Sequence, residues 1–108
     1  MNKRIQQSSG NVFADIGAKN PEEALIKARL AHAITLAIEA KGLSQMEAAQ
    51  MLSIDQPKVS NLVRGKIRGF SMDRLFRYLT ILGTDIDIFV KNSSRTGNRP
   101  GRMKVAVA

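Results

Sequence analysis

The sequence predicts a mainly α-helical fold: a small bundle of four to five helices, two of them short and joined by a tight turn, plus a short C-terminal β-strand that pairs in a dimer. Three observations predict it. Apolar residues recur at helical spacing from Ile26 to Ile38, two capped helix starts follow each other closely between Ser44 and Lys66, and the pattern switches to period two at Asp85 to Lys91.

The chain has 108 residues and a formal net charge of +8, enough for one domain with a small core and a balance that favours polyanionic partners. It has no cysteine and a single histidine, so disulfides, thiol catalysis and Cys-ligated zinc are excluded together, which fits a reducing cytoplasm. No carboxylates cluster apart from the pair Asp85 and Asp87, so neither an enzyme, a metal site nor a cofactor is expected. No apolar run reaches membrane-spanning length, and the first residues, MNKRIQQSSG, lack the apolar core of a signal peptide, so neither a membrane partner nor secretion is expected. One tyrosine and four phenylalanines, mostly at core positions, offer no stacking platform for single-stranded RNA.

Residues 1–20 read as a polar arm with one sticky segment containing Val12, Phe13 and Ile16; residues 21–91 read as the folded domain, and residues 92–108 as a basic flexible tail. Asn20 caps the first helix, with Pro21, Glu22 and Glu23 suited to its first turn, and Gly42 stops it after Lys41. Its core stripe is Ile26, Leu30, Ala33, Ile34 and Ala37, with Ile38 at the edge. A second stripe, Leu25, Arg29, His32 and Leu36, lies almost opposite and has no role in a single core. The arm, a second subunit or a different protein could cover it. His32 reads as a surface neighbour, since a lone histidine cannot build a zinc site.

The central stretch is SQMEAAQMLSIDQPKVSNLVRGK, residues 44–66. Ser44 and Glu47 form a capping box, so a helix starts at Gln45. Asp55 is expected to cap the next helix in the same way, with Pro57 in its first turn, Ile54 and Val59 as a hydrophobic staple and Gly65 at its left-handed end. On that helix Val59, Leu62 and Val63 share one face. Pro57, Ser60, Asn61 and Arg64 share the opposite one, flanked by Gln56 and Lys58. Such a polar face carries the donors and acceptors that reading base edges in a major groove requires.

Arg64 to Phe70 is a glycine-punctuated loop whose Arg64, Lys66 and Arg68 suit a phosphate backbone. Ser71 caps the last helix, Phe70 and Leu75 staple it, Asp73 suits its positive end, and Gly83 stops it. Leu75, Phe76, Leu79 and Leu82 complete the core. Asp85 to Lys91 alternates as a strand, with Ile86, Ile88 and Val90 on one face and Phe89 on the other. A lone strand leaves its amides unpaired and must find a partner, the N-terminal arm or the same strand of a second subunit. Phe89 on the otherwise charged face favours the second subunit, so Ile81, Ile86, Ile88, Phe89 and Val90 are expected to form a dimer interface. The tail carries Arg95, Arg99, Arg102 and Lys104 without an acid and is expected to be disordered alone.

Gln45, Ala49, Ile54, Gln56, Val59, Ser60, Leu62 and Gly65 at this spacing resemble the Cro and lambda-repressor-like helix-turn-helix family. The resemblance implies that the segment from Gln56 to Arg64 lies in the major groove of double-stranded DNA. It also implies that Ala49 lets the two helices cross closely, and that Gln45 bonds a phosphate and braces Gln56. The candidate DNA-binding residues are therefore Gln45, Gln56, Pro57, Lys58, Ser60, Asn61, Arg64, Lys66 and Arg68. Ser53 departs from the pattern, occupying a turn position that is often glycine. Over about residues 9–91 the order of parts resembles XRE-type proteins of the HigA-like antitoxin group. That resemblance implies a cytoplasmic, nucleoid-associated homodimer on an inverted-repeat operator, which represses its own operon and neutralises a RelE-like toxin. A stand-alone or phage-derived repressor whose main partner is another protein is the alternative.

Overall fold

The computed structural model describes residues 20–92, 97 and 100–107, and within them the chain forms four helices: α1 (Pro21–Ala40), α2 (Gln45–Leu52), α3 (Gln56–Val63) and α4 (Met72–Ile81). The sticky arm around Phe13 and the tail cations Arg95 and Arg99 lie outside the described residues.

Local chemistry sets three of the four helix starts. The Asn20 side chain accepts from the Glu23 amide at 3.1 Å and the Ser71 hydroxyl from the Arg74 amide at 3.2 Å. At α2 the capping box is complete: the Ser44 hydroxyl accepts from the Glu47 amide at 3.0 Å, and the Glu47 carboxylate accepts from the Ser44 amide at 2.8 Å. Helix α3 departs from expectation. Asp55 occupies the cap position but makes no side-chain cap bond. A capping oxygen takes the second or third amide of the helix. The second residue here is Pro57, which has no N–H, and the Lys58 amide donates to the Asp55 backbone carbonyl at 3.1 Å instead.

All four helices end in a left-handed residue, and only at α2 is it not glycine: Ser53 sits at φ 58°, ψ 41°. The Ile54 amide just beyond it turns back to the Ala49 carbonyl at 3.0 Å, which closes the tight turn between α2 and α3.

Helix α1 lies chiefly against α4 and α3, while α2 packs on α3. Ile26, Leu30, Ile34, Ile38, Ala48, Leu52, Val59, Leu62, Leu75, Leu79 and Leu82 are buried in one cluster, with Ala33, Ala37 and Phe76 half-buried beside it. Ile38, expected at the edge of the α1 stripe, is buried, as is Ala31. Tyr78 is buried too, edge-on to Phe70 with ring centroids 6.2 Å apart.

One expectation about the C-terminal third needs correction. The strand over Asp85 to Lys91 does not form; residues 84–92 carry no ladder. Ile86 is half-buried against the core, whereas Ile88, Phe89 and Val90 are 75, 85 and 87% exposed, so the alternation does not divide an inner from an outer face. A strand exists only with a second backbone to bond to, and among the described residues none bonds to this one in a ladder. The tail, in turn, is not wholly free. Val105 packs half-buried against the core, and its carbonyl accepts from the Arg29 guanidinium at 3.1 Å. Arg29 belongs to the second stripe of α1, so the tail meets the surface for which the sequence suggested other covers. The cover is partial, with Leu25 and Leu36 still 55 and 42% exposed.

Candidate nucleic-acid interface

Helix α3 is divided as its sequence demands. Val59 and Leu62 are fully buried against the bundle and Val63 is half-buried, which fixes the rotation of the helix about its axis. That rotation leaves Gln56, Pro57, Lys58 and Arg64 exposed and Ser60 and Asn61 half-buried at the margin. The outward face therefore carries an amide, an ammonium, a hydroxyl and a guanidinium, with no carboxylate except Asp55 just before the helix. Such groups match the donor and acceptor pattern of base edges and phosphates.

Gln45 is the first residue of α2 and half-buried, Gln56 the first of α3 and exposed. Their side chains share no hydrogen bond among the described residues.

Gly65, at φ 78°, turns the chain out of α3, with its amide donating to the Leu62 carbonyl at 3.1 Å. From there the loop alternates: Lys66 and Arg68 are exposed, while Ile67 packs on the core and Phe70 is buried in it. The two apolar residues act as pins that hold the two cations outward.

Lys58, Asn61, Lys66 and Arg68 converge with Arg74 around an open pocket of about 260 Å³ beside α3, with Phe70 also in its lining. Gln45, Gln56, Pro57, Ser60 and Arg64 do not line it. Arg74 is the residue that the sequence does not flag. It is the third residue of α4, and side chains in a first turn lean back toward the helix start, here toward the loop. That position, three after the Ser71 cap, was the available signal.

The chain matches the model of a family described as "Helix-turn-helix domain" over residues 12–91. A solved structure assigned to the XRE family of transcriptional regulators is 39% identical, with a TM-score of 0.73, covering 82% of this chain and 99% of its own. This chain belongs to the XRE family of helix-turn-helix transcriptional regulators. No curated protein matches it. In this XRE-family regulator α2 and α3 are the two short helices joined by the tight turn at Ser53. Among the described residues no three of His, Cys, Asp and Glu gather as a metal site, and no helix is long and apolar enough to cross a membrane.

Proposed function

We propose that this XRE-family regulator is a homodimeric, operator-specific repressor that serves as the antitoxin of a toxin-antitoxin pair, repressing its own operon and neutralising a RelE-like toxin. The observation that carries the DNA half is the polar face of α3, set by the burial of Val59 and Leu62 behind it. Gln56, Lys58, Ser60 and Asn61 read base edges from that face; Gln45, Arg64, Lys66 and Arg68 contact phosphates. One such helix reads only a few base pairs, so a unique address needs two copies. The exposed run Ile88 to Val90 supplies apolar surface and unpaired backbone for that pairing. The antitoxin role is supported by the order of parts along the sequence and by apolar surface left for a protein partner at Leu25 and Leu36.

Selection from a pool of random duplexes tests the DNA half. The enriched sites should be inverted repeats with half-sites about 34 Å apart or a multiple of that. Gln56→Ala should flatten the preference at one or two positions while leaving binding to random DNA nearly unchanged. Equal losses on selected and random duplexes would refute base reading by α3. The toxin half is tested by sequencing the neighbouring genes and co-expressing this chain with any RelE-like ribonuclease found there. Growth arrest that persists despite the regulator would leave a stand-alone repressor.

A further inference from the structure

We propose that residues 102–107 of one subunit pair in parallel with residues 85–90 of a second copy of this chain, with Asp85 beside Arg102 and Asp87 beside Lys104. The inference deepens the homodimer reading and rests on it.

Two stretches outside the helices keep their backbone groups open among the described residues. No hydrogen bond reaches residues 85–91. In residues 101–107 only the Val105 carbonyl is taken, by the Arg29 guanidinium at 3.1 Å. In a strand the backbone groups of alternate residues point to opposite edges. The edge that Val105 gives to α1 therefore leaves Arg102, Lys104 and Ala106 to present the other, and the tail can stay docked on its own subunit while it pairs with a neighbour.

The sequences of the two stretches fix the direction and the register. Laid in parallel, both acids meet cations, Ile88 meets Val105 and Val90 meets Val107, so charge and apolar character match together. An antiparallel run that keeps both ion pairs sets Ile88 against Gly101 and loses the apolar contacts. Within one chain, a parallel pair needs a crossover of roughly a dozen residues or more. Only ten, 92–101, lie between the stretches, and no such ladder forms among the described residues. The tail of a second copy carries no such tether.

Stability points the same way. Two 85–91 segments paired only with each other make a two-stranded ribbon, which is marginal in water, whereas three or more strands with an apolar face hold together. Each segment has two edges. One meets its symmetry mate and the other takes the partner's tail, which gives four strands. The exchange is reciprocal, so every contact occurs twice.

The experiment follows the full chain by sedimentation velocity over a concentration series at low ionic strength, with Asp87→Lys, Lys104→Asp and an equimolar mixture of the two. Both positions are exposed, so the subunit fold should be untouched, and thermal melting checks this. Alone, each variant sets like charges against each other at both symmetric contacts, and its dimer should dissociate about tenfold more readily than the parent's. In the mixture a heterodimer restores opposite charges at both contacts, so the parent's affinity should return. Variants that dimerise as tightly as the parent, or a mixture no tighter than its components, overturn the tail pairing and leave the homodimer standing. A parent that stays monomeric throughout overturns the homodimer reading and this inference with it.

Discussion

The backbone amide of Lys66 donates to the carbonyl of Asn61 at 2.8 Å, and it is this bond, spanning the Gly65 turn, that joins the cationic loop 64–70 to the polar face of α3. Asn61 thus fixes the loop with its backbone while its side chain stays half-buried at the margin of the polar face. The turn between them needs a positive φ, which a side chain at Gly65 resists. Gly65→Ala should cost about 1 kcal/mol of stability. It should also weaken binding to every duplex alike, since it shifts Lys66 and Arg68. Urea unfolding with parallel mobility assays checks this; unchanged binding would show that the loop tolerates displacement.

Ser53 offers the opposite change. It holds φ 58° with a side chain that disfavours it, so Ser53→Gly should raise stability by about 0.5 kcal/mol, the relief of strain being partly offset by a freer unfolded chain. Ser53→Val should lower it. A lower denaturation midpoint for the glycine variant would mean that the turn is not strained.

Ser44 and Asp55 occupy equivalent positions at consecutive helices but do different work. Ser44→Ala removes a made cap and should cost about 1 kcal/mol. Asp55→Ala removes only a charge near the positive end of α3, and roughly 0.3 kcal/mol is expected. Asp55→Asn should tighten binding to DNA, since it removes the one carboxylate beside the reading face. Equal melting losses for the two alanine variants would contradict the difference in capping.

Phe89 is 85% exposed, so Phe89→Asp should leave the melting of an isolated subunit unchanged. In a dimer joined through residues 85–91 the same change buries a charge and should split the assembly. Sedimentation velocity distinguishes the two. If the variant sediments as the parent does, the subunits do not meet there.

The contact between Arg29 and Val105 predicts that the tail stabilises the bundle. Val105→Asp puts a charge on a half-buried site and should cost about 1 kcal/mol, with Arg29→Ala smaller in the same direction. Deleting residues 93–108 should reproduce the loss. A truncated chain that melts with the parent would show that the tail contributes nothing to the fold.

The helices were legible because their signals are local: Ser44 with Glu47, Asn20 before Pro21 and Ser71 before Met72 announce their starts within one turn. The outward polar face of α3 was legible because the burial of Val59 and Leu62 leaves only one rotation possible. Asp55 misled, because the Lys58 amide that its side chain could have taken donates to the Asp55 backbone carbonyl instead. What could not be read depends on residues far apart in the chain. Arg74 meets Lys58 only after the loop has folded, and Val105 meets Arg29 across 76 positions. The period-two pattern at Ile86 to Val90 was real as a pattern, but a ladder is a property of two backbones.

The pins at Ile67 and Phe70 bear on the heat signature of binding. A loop that orders only on contact would add the large negative heat-capacity change of coupled folding to that of the interface. Here the cations stand on a loop already packed into the core, so the heat-capacity change on duplex binding should scale with the contact surface alone.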